Sequence, residues 1–205
     1  DGSFVRGPAG FHGTVLADSK AVHAAEAGRY HLYVSLACPW AHRTLIVRAL
    51  KGLEHAISVD VVHPFLNDKG WSFGTDFAGS TGDRVGGHEY LQAVYQQAHP
   101  DYSGIITVPV LWDKKLGTVV NNESSEIIRM LNSEFQAFAL NPKLDLYPQD
   151  QREAIDATND WVYKSINNGV YRSGFARSQA AHERAVDELF AALNRHSIVH
   201  HADSL

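Results

Sequence analysis

Between residues 29 and 50, RYHLYVSLACPWAHRTLIVRAL, the hydrophobic period changes once. Leu32, Val34 and Leu36 alternate with His31, Tyr33 and Ser35, which predicts a strand buried on one face. After Pro39 the spacing turns helical, with Ala41, Leu45 and Ala49 on one stripe flanked by Ile46 and Leu50. Pro39 suits the first helical position, where its missing N–H would have had no intrahelical partner. Cys38 therefore falls in the turn from strand to helix, at the helix N-terminus.

The pattern continues downstream. ISVDVVHPF, residues 57–65, is rich in β-branched side chains and predicts a second strand. A strand–helix–strand unit of this length is a parallel βαβ crossover. Residues 89–99 predict a helix with Leu91, Val94 and Tyr95 on one side. IITVPVLWDKKLGTVVNNE predicts two strands around the turn DKKLG, with Pro109 inside the first of them. Proline is excluded from strand interiors unless it has a special role. A helix is expected from about Glu123 to Phe135. The order strand, Cys-Pro, helix, strand, helix, strand with Pro, strand, helix predicts a thioredoxin-like α/β domain over 29–135. In that fold the proline is cis and faces the active-site cysteine, and the residue before it, Val108, offers its backbone N–H and C=O to a peptide-like ligand.

Three stretches lack a clear period. Residues 1–28 read as an N-terminal extension that lies over the domain or is partly disordered. GWSFGTDFAGSTGDRVGG, residues 70–87, carries six glycines and reads either as a functional loop or as a disordered insertion, with Trp71 and Phe73 favouring a site. Residues 136–147 read as a linker. Beyond it, Ile155, Val162 and Ile166 share one helical stripe ending at Gly169, and a second amphipathic helix runs through Val186, Leu189, Phe190 and Leu193. Residues 148–205 are thus expected to begin an all-α domain.

Composition narrows the class. The 205 residues suffice for one or two small domains with a sizeable core. A net charge of −5 argues against a nucleic-acid surface, and no apolar run approaches the ~20 residues of a membrane helix, so neither partner is expected. One cysteine excludes an internal disulfide and fits a reducing compartment, which predicts the cytoplasm. The chain begins at Asp1, which leaves room for an upstream targeting segment. Twelve histidines are scattered without cysteine partners, so no metal is expected. His196, His200 and His201 have a metal-compatible spacing but read as a polar tail. His42 follows Cys38 by one helical turn and is expected in solvent.

The chemistry converges on Cys38. Unpaired N–H groups and the positive end of the helix dipole favour a thiolate, which is the nucleophilic form. Ala41 stands where a dithiol oxidoreductase has its second cysteine, so a mixed disulfide at Cys38 can be resolved only by an external thiol. The helix starting NNESSE offers free N–H groups, the Ser124 hydroxyl and the Glu123 carboxylate, one seat each for a carboxylate and an ammonium group. An ordinary helix cap would use the same residues. Asn122-Glu123-Ser124 spells a glycosylation sequon, read as chance.

LYVSLACPWAHRTLIVRAL, with GWSF at 70–73, TVPVLWDK at 107–114, NNESSEIIRMLN at 121–132 and INNGVY at 166–171, resembles the Xi-class glutathione transferases, the glutathionyl-hydroquinone reductases with a CPWA signature. The resemblance runs from about Asp1 to Leu193. It implies an N-terminal extension, a thioredoxin-like glutathione-binding domain and an all-α second domain, which looks truncated here. It further implies Cys38 as nucleophile, with Trp71, Val108, Pro109, Glu123 and Ser124 on glutathione and Trp40 and Tyr171 on the hydroquinone. Glutathione enters as co-substrate. A homodimer is the family's expectation, in doubt where helices of the second domain are missing. Two alternatives stay open: an omega-like thiol transferase or dehydroascorbate reductase, and a catalytically silent glutathione-binding remnant.

Overall fold

Tyr30–Val34 (β1), Ile57–Val61 (β2), Val110–Asp113 (β3) and Thr118–Asn121 (β4) form one sheet in the order β2-β1-β3-β4. β1 and β2 are parallel, from Tyr30 opposite Ile57 to Val34 opposite Val61, as a βαβ crossover requires. β3 runs antiparallel to both β1 and β4. Between the strands lie the helices Pro39–Lys51 (α1) and Leu91–Ala98 (α2), and after them Ser124–Ser133 (α3). The computed structural model describes residues 1–202, with the side chains of 196–202 excepted. The chain divides into two units, one of Ala9–Leu146 and the other of Asp1–Pro8 with Tyr147–Leu205.

β1 corrects the expectation of a strand buried on one face. All five of its residues are buried, because β2 and β3 flank it and both faces are covered. The polar positions of the alternation point at buried partners rather than at water. His31 Nδ1 lies 2.7 Å from Ser58 Oγ, its Nε2 lies 3.3 Å from Asp60, and the Tyr33 hydroxyl donates to Asp83 at 3.0 Å. Leu36, assigned to the same apolar face, is beyond the strand and exposed. The buried face of α1 is likewise Ala41, Thr44, Val47 and Lys51, while Ile46, Ala49 and Leu50 face outward. Lys51 is fully buried and satisfies its ammonium on Gln136 Oε1 at 3.0 Å and the Leu144 carbonyl at 2.6 Å, which folds the segment after α3 back onto α1. Burial pulls its pKa below the usual lysine value.

The second strand stops at Val61, short of the expected Phe65. Past it, the glycine-rich stretch is fixed in place by two buried carboxylates. Asp60 accepts from the Arg84 N–H at 2.7 Å, from Arg84 Nε at 2.5 Å and from the Thr81 hydroxyl at 3.2 Å. Asp83 accepts from the N–H groups of Val85, Gly86 and His88, each at 3.0 Å, and from the Tyr33 hydroxyl. Phe73 is a core residue, its ring 5.4 Å from that of Tyr33. Burial opposes ionisation of Asp60, but the nearby His31 ring and the hydrogen bonds from Arg84 outweigh it and hold the carboxyl down to about 2.

The first residues do not form one extension. Residues 11–13 line the free edge of β4, with the Gly13 N–H donating to the Val120 carbonyl at 2.8 Å and the Asn122 N–H to the Phe11 carbonyl at 3.2 Å. A Cβ on Gly13 would stand 2.6 Å from the Val120 oxygen, so the close approach requires glycine. Covering this edge leaves no row of unpaired backbone groups there. Residues 1–8 instead belong with the helical unit: the Arg177 N–H donates to the Gly2 carbonyl at 2.8 Å, and Arg6 Nε donates to Asn168 Oδ1 at 2.9 Å.

In the helical unit, Arg152–Val162 (α4) passes through one π-helical turn, Tyr163–Asn167, into Asn168–Gly174 (α5), and Gln179–Ala202 (α6) follows. Gly169 does not end the first helix. It is buried inside α5, where a Cβ would meet Leu189 Cδ1 at 3.2 Å, so glycine permits the approach of α6. Among the described side chains of α6, Ala181, Ala185 and Ala192 are buried, with Phe190 and Leu193 exposed.

The buried Asp60 carboxylate generates a pH prediction. Since its folded pKa lies below the usual 3.8, its contribution is complete above that value and is lost as pH falls towards 2. Thermal unfolding of Asp60→Asn is expected to show a loss of about 2 kcal/mol near neutral pH, and the gap to wild type should narrow between pH 4 and pH 2.

Candidate functional site

Cys38 occupies the N-cap of α1, with φ −102° and ψ 115° and Pro39 in the first turn. Its N–H donates to the Ser35 carbonyl at 3.1 Å, and its own carbonyl accepts from the His42 N–H at 3.0 Å. The thiol is half-buried and lies 3.6 Å from the Val108 carbonyl oxygen. The Val108–Pro109 peptide bond is cis, and both residues are buried. Pro109 directly precedes β3 rather than lying within it, so no ladder hydrogen bond is lost to the proline. His42 is exposed.

The second part of the site is the N-terminus of α3. Glu123 is its N-cap and accepts from the Ser125 N–H at 3.0 Å and the Ser125 hydroxyl at 2.8 Å. Ser124 is buried, and its hydroxyl oxygen accepts from Arg43 Nε at 3.0 Å and Nη2 at 2.7 Å. Arg43 Nη2 also lies 3.5 Å from Glu123 Oε1, and the guanidinium sits 5.0 Å from the Trp40 ring centroid. Helix α1, whose N-cap carries the thiol, is thereby tied to the first turn of α3. Arg43 follows Cys38 by five positions, and its partner lies 81 positions away.

Asn122, read from the sequence only as part of a chance sequon, is a second residue that the fold puts to use. Its side-chain Oδ1 accepts from the N–H groups of Gly10 and Phe11 at 3.2 and 2.9 Å. Its amide nitrogen donates to the Tyr95 hydroxyl at 3.0 Å and to Thr107 Oγ1 at 3.2 Å. The Tyr95 hydroxyl in turn donates to the Thr107 carbonyl at 2.8 Å, and burial pushes its pKa up to about 12. These bonds hold the segment that presents Val108 to Cys38. Asn122 is 5% exposed and its amide is engaged on both sides, so the sequon is closed to modification in the folded chain.

The remaining candidates are Trp71, Trp40 and Tyr171. Trp71 is half-buried, packed against the core, with its carbonyl accepting from the Leu91 N–H at 2.9 Å; its described contacts do not include Cys38. Trp40 is half-buried beside Arg43. Tyr171 lies in α5 of the helical unit, its ring 6.4 Å from that of Phe4 and 5.8 Å from that of Phe175, with the Arg6 guanidinium 4.1 Å above it. Among the described residues no group of three His, Cys, Asp or Glu side chains is placed to hold a metal ion, and no helix is long and apolar enough to cross a membrane. The side chains of His196, His200 and His201 lie outside the described residues.

Removing the Glu123 cap leaves the Ser125 N–H without its side-chain acceptor. Glu123→Ala is expected to lower stability by about 1 kcal/mol, with Glu123→Asp retaining most of it, as denaturant unfolding would measure.

Residues 37–134 match the model of the glutathione S-transferase N-terminal domain. The chain is 55% identical over 171 residues to the glutathionyl-hydroquinone reductase YqjG of Escherichia coli (strain K12), which covers 83% of this chain and 52% of that protein. The crystal structure of the Xi glutathione transferase of Phanerochaete chrysosporium superposes with a TM-score of 0.90 at 50% identity, over 94% of this chain and 65% of that one. The glutathione-bound structure of YqjG superposes with a TM-score of 0.85 at 51% identity, over 91% and 62%. The chain thus spans between half and two thirds of the length of these relatives.

Proposed function

We propose, for a chain that belongs to the Xi class of glutathione transferases, a Cys38-centred removal of glutathione from glutathionyl-hydroquinones. The observation that carries this reading is the half-buried Cys38 thiol at the start of α1, 3.6 Å from the Val108 carbonyl beside the cis-proline. A peptide-like ligand lying along Val108 has its sulfur beside Cys38. Its γ-glutamyl end has a carboxylate and an ammonium group to match Ser124 and Glu123 at α3. The name of the E. coli relative, and the glutathione in its structure, support glutathione as the ligand and its aryl thioether as the substrate. The resemblance adds Trp71 on the glutathione side and Trp40 on the hydroquinone side.

In the first step the Cys38 thiolate attacks the glutathione sulfur of the thioether. An S–S bond forms and the aryl C–S bond breaks. Its electron pair stays on the ring carbon, which takes a proton and leaves as hydroquinone. In the second step a free glutathione thiolate attacks the glutathione sulfur of the Cys38 mixed disulfide and releases oxidised glutathione and the Cys38 thiolate. The ring carbon is reduced by two electrons, and two glutathione sulfurs are oxidised to one disulfide. Because Cys38 is the single cysteine of the sequence, no internal thiol competes with glutathione in the second step.

Hydroquinone release from a glutathionyl-hydroquinone in the presence of glutathione tests the reading. Wild type is expected to release it and Cys38→Ser to release none, while substrate without added glutathione leaves wild type heavier by one glutathione at Cys38. Equal release by both proteins, or by neither, rejects the proposal. Turnover of small mixed disulfides with the aryl thioether left intact would point to the omega-like reading instead.

A further inference from the structure

We propose that Arg43 is a positioning residue that sets the polarity of the amino-acid end of the ligand, an inference that rests on the glutathione reading above. A serine hydroxyl has one proton to give and two lone pairs to receive. At Ser124 both lone pairs face Arg43, which donates from Nε at 3.0 Å and from Nη2 at 2.7 Å. The hydroxyl proton must then point away from Arg43, so Ser124 is a preset donor. A preset donor at a helix N-terminus accepts a carboxylate and refuses an ammonium group. The adjoining Glu123 carboxylate has the opposite preference, and Arg43 Nη2 stands 3.5 Å from it. The pair therefore reads an α-amino acid in one direction only.

Position along the chain adds a second function. Arg43 is carried by α1, one turn beyond the thiol, and reaches across to α3. The same guanidinium thus fixes the distance between the sulfur-reacting end of the site and the end that holds the γ-glutamyl group. Its plane lies near the Trp40 ring, whose centroid is 5.0 Å away, which limits the directions the fork can take. A lysine at 43 would supply charge without the two-pronged geometry.

Disulfide exchange separates this role from a structural one. The Cys38 thiolate attacks oxidised glutathione, forms the Cys38–glutathione disulfide and expels one glutathione thiolate, while the disulfide of cysteinylglycine reacts identically but lacks the γ-glutamyl group. For each protein, both rate constants are divided by the rate of Cys38 alkylation by iodoacetamide, which needs no binding site. In Arg43→Met the ratio for oxidised glutathione is expected to fall about 10-fold to 100-fold, the range for losing charge-assisted hydrogen bonds, with the ratio for the shorter disulfide unchanged. Arg43→Lys should recover part of the loss, and should carry the test if the methionine variant unfolds. Ser124→Ala combined with Arg43→Met should be little worse than Ser124→Ala alone. Ratios that stay at the wild-type value, or that fall equally for both disulfides, overturn the proposal. A wild-type protein that does not prefer oxidised glutathione over the shorter disulfide overturns the glutathione reading itself, whatever the variants do.

Discussion

The Asn122 side chain has hydrogen-bond partners on both its oxygen and its nitrogen, and each lies on a different part of the α/β unit. Through it the N-terminal stretch at Gly10 and Phe11, helix α2 at Tyr95, and the segment before β3 at Thr107 meet at the entrance to α3. A buried amide left unpaired costs more than a hydrogen bond normally gains, so this meeting point tolerates few alternatives. The site depends on it. Thr107 precedes Val108, whose carbonyl faces Cys38, and Asn122 precedes Glu123, which caps α3. One side chain thus helps set both the Val108 segment and the start of α3.

Buried carboxylates do similar work on the sheet. Asp60 fastens the loop at Thr81 and Arg84, and Asp83 gathers three backbone N–H groups, the Tyr33 hydroxyl and the His88 ring. Asp113, at the end of β3, accepts from Arg29 and His23 and from the backbone of Lys115 and Leu116. In each case burial disfavours the charge and multiple donors more than compensate, holding the carboxyl below its usual range. This arrangement gives a stretch with six glycines a defined path without a helix or strand.

Chemically the α/β unit pairs a thiol that has no internal partner with a seat of both charges a short distance along the neighbouring helix. That combination suits the proposed cycle, in which glutathione is both the group removed and the reductant. In the proposed reading the turn into α1 supplies the nucleophile, the loop before β3 supplies backbone, and α3 supplies the charges.

Short-range rules explain what the sequence determined by itself. The change of period at Pro39, the proline at the first helical position and the turn DKKLG act over a few residues, so they placed Cys38 at a helix start and gave the order of strands and helices. The same rules erred where burial depends on neighbours. Alternation in β1 looked one-sided because the partners of His31 and Tyr33 lie on β2 and in a distant loop. Gly169 looked like a helix end, yet it is the close contact with Leu189 that uses it. Arg43 meets Ser124 across 81 positions, and Asn122 meets Gly10 across 112. Such pairs follow from how helices and loops pack, and no local period encodes them; tertiary structure alone turned a cysteine at a helix start into a site with a direction.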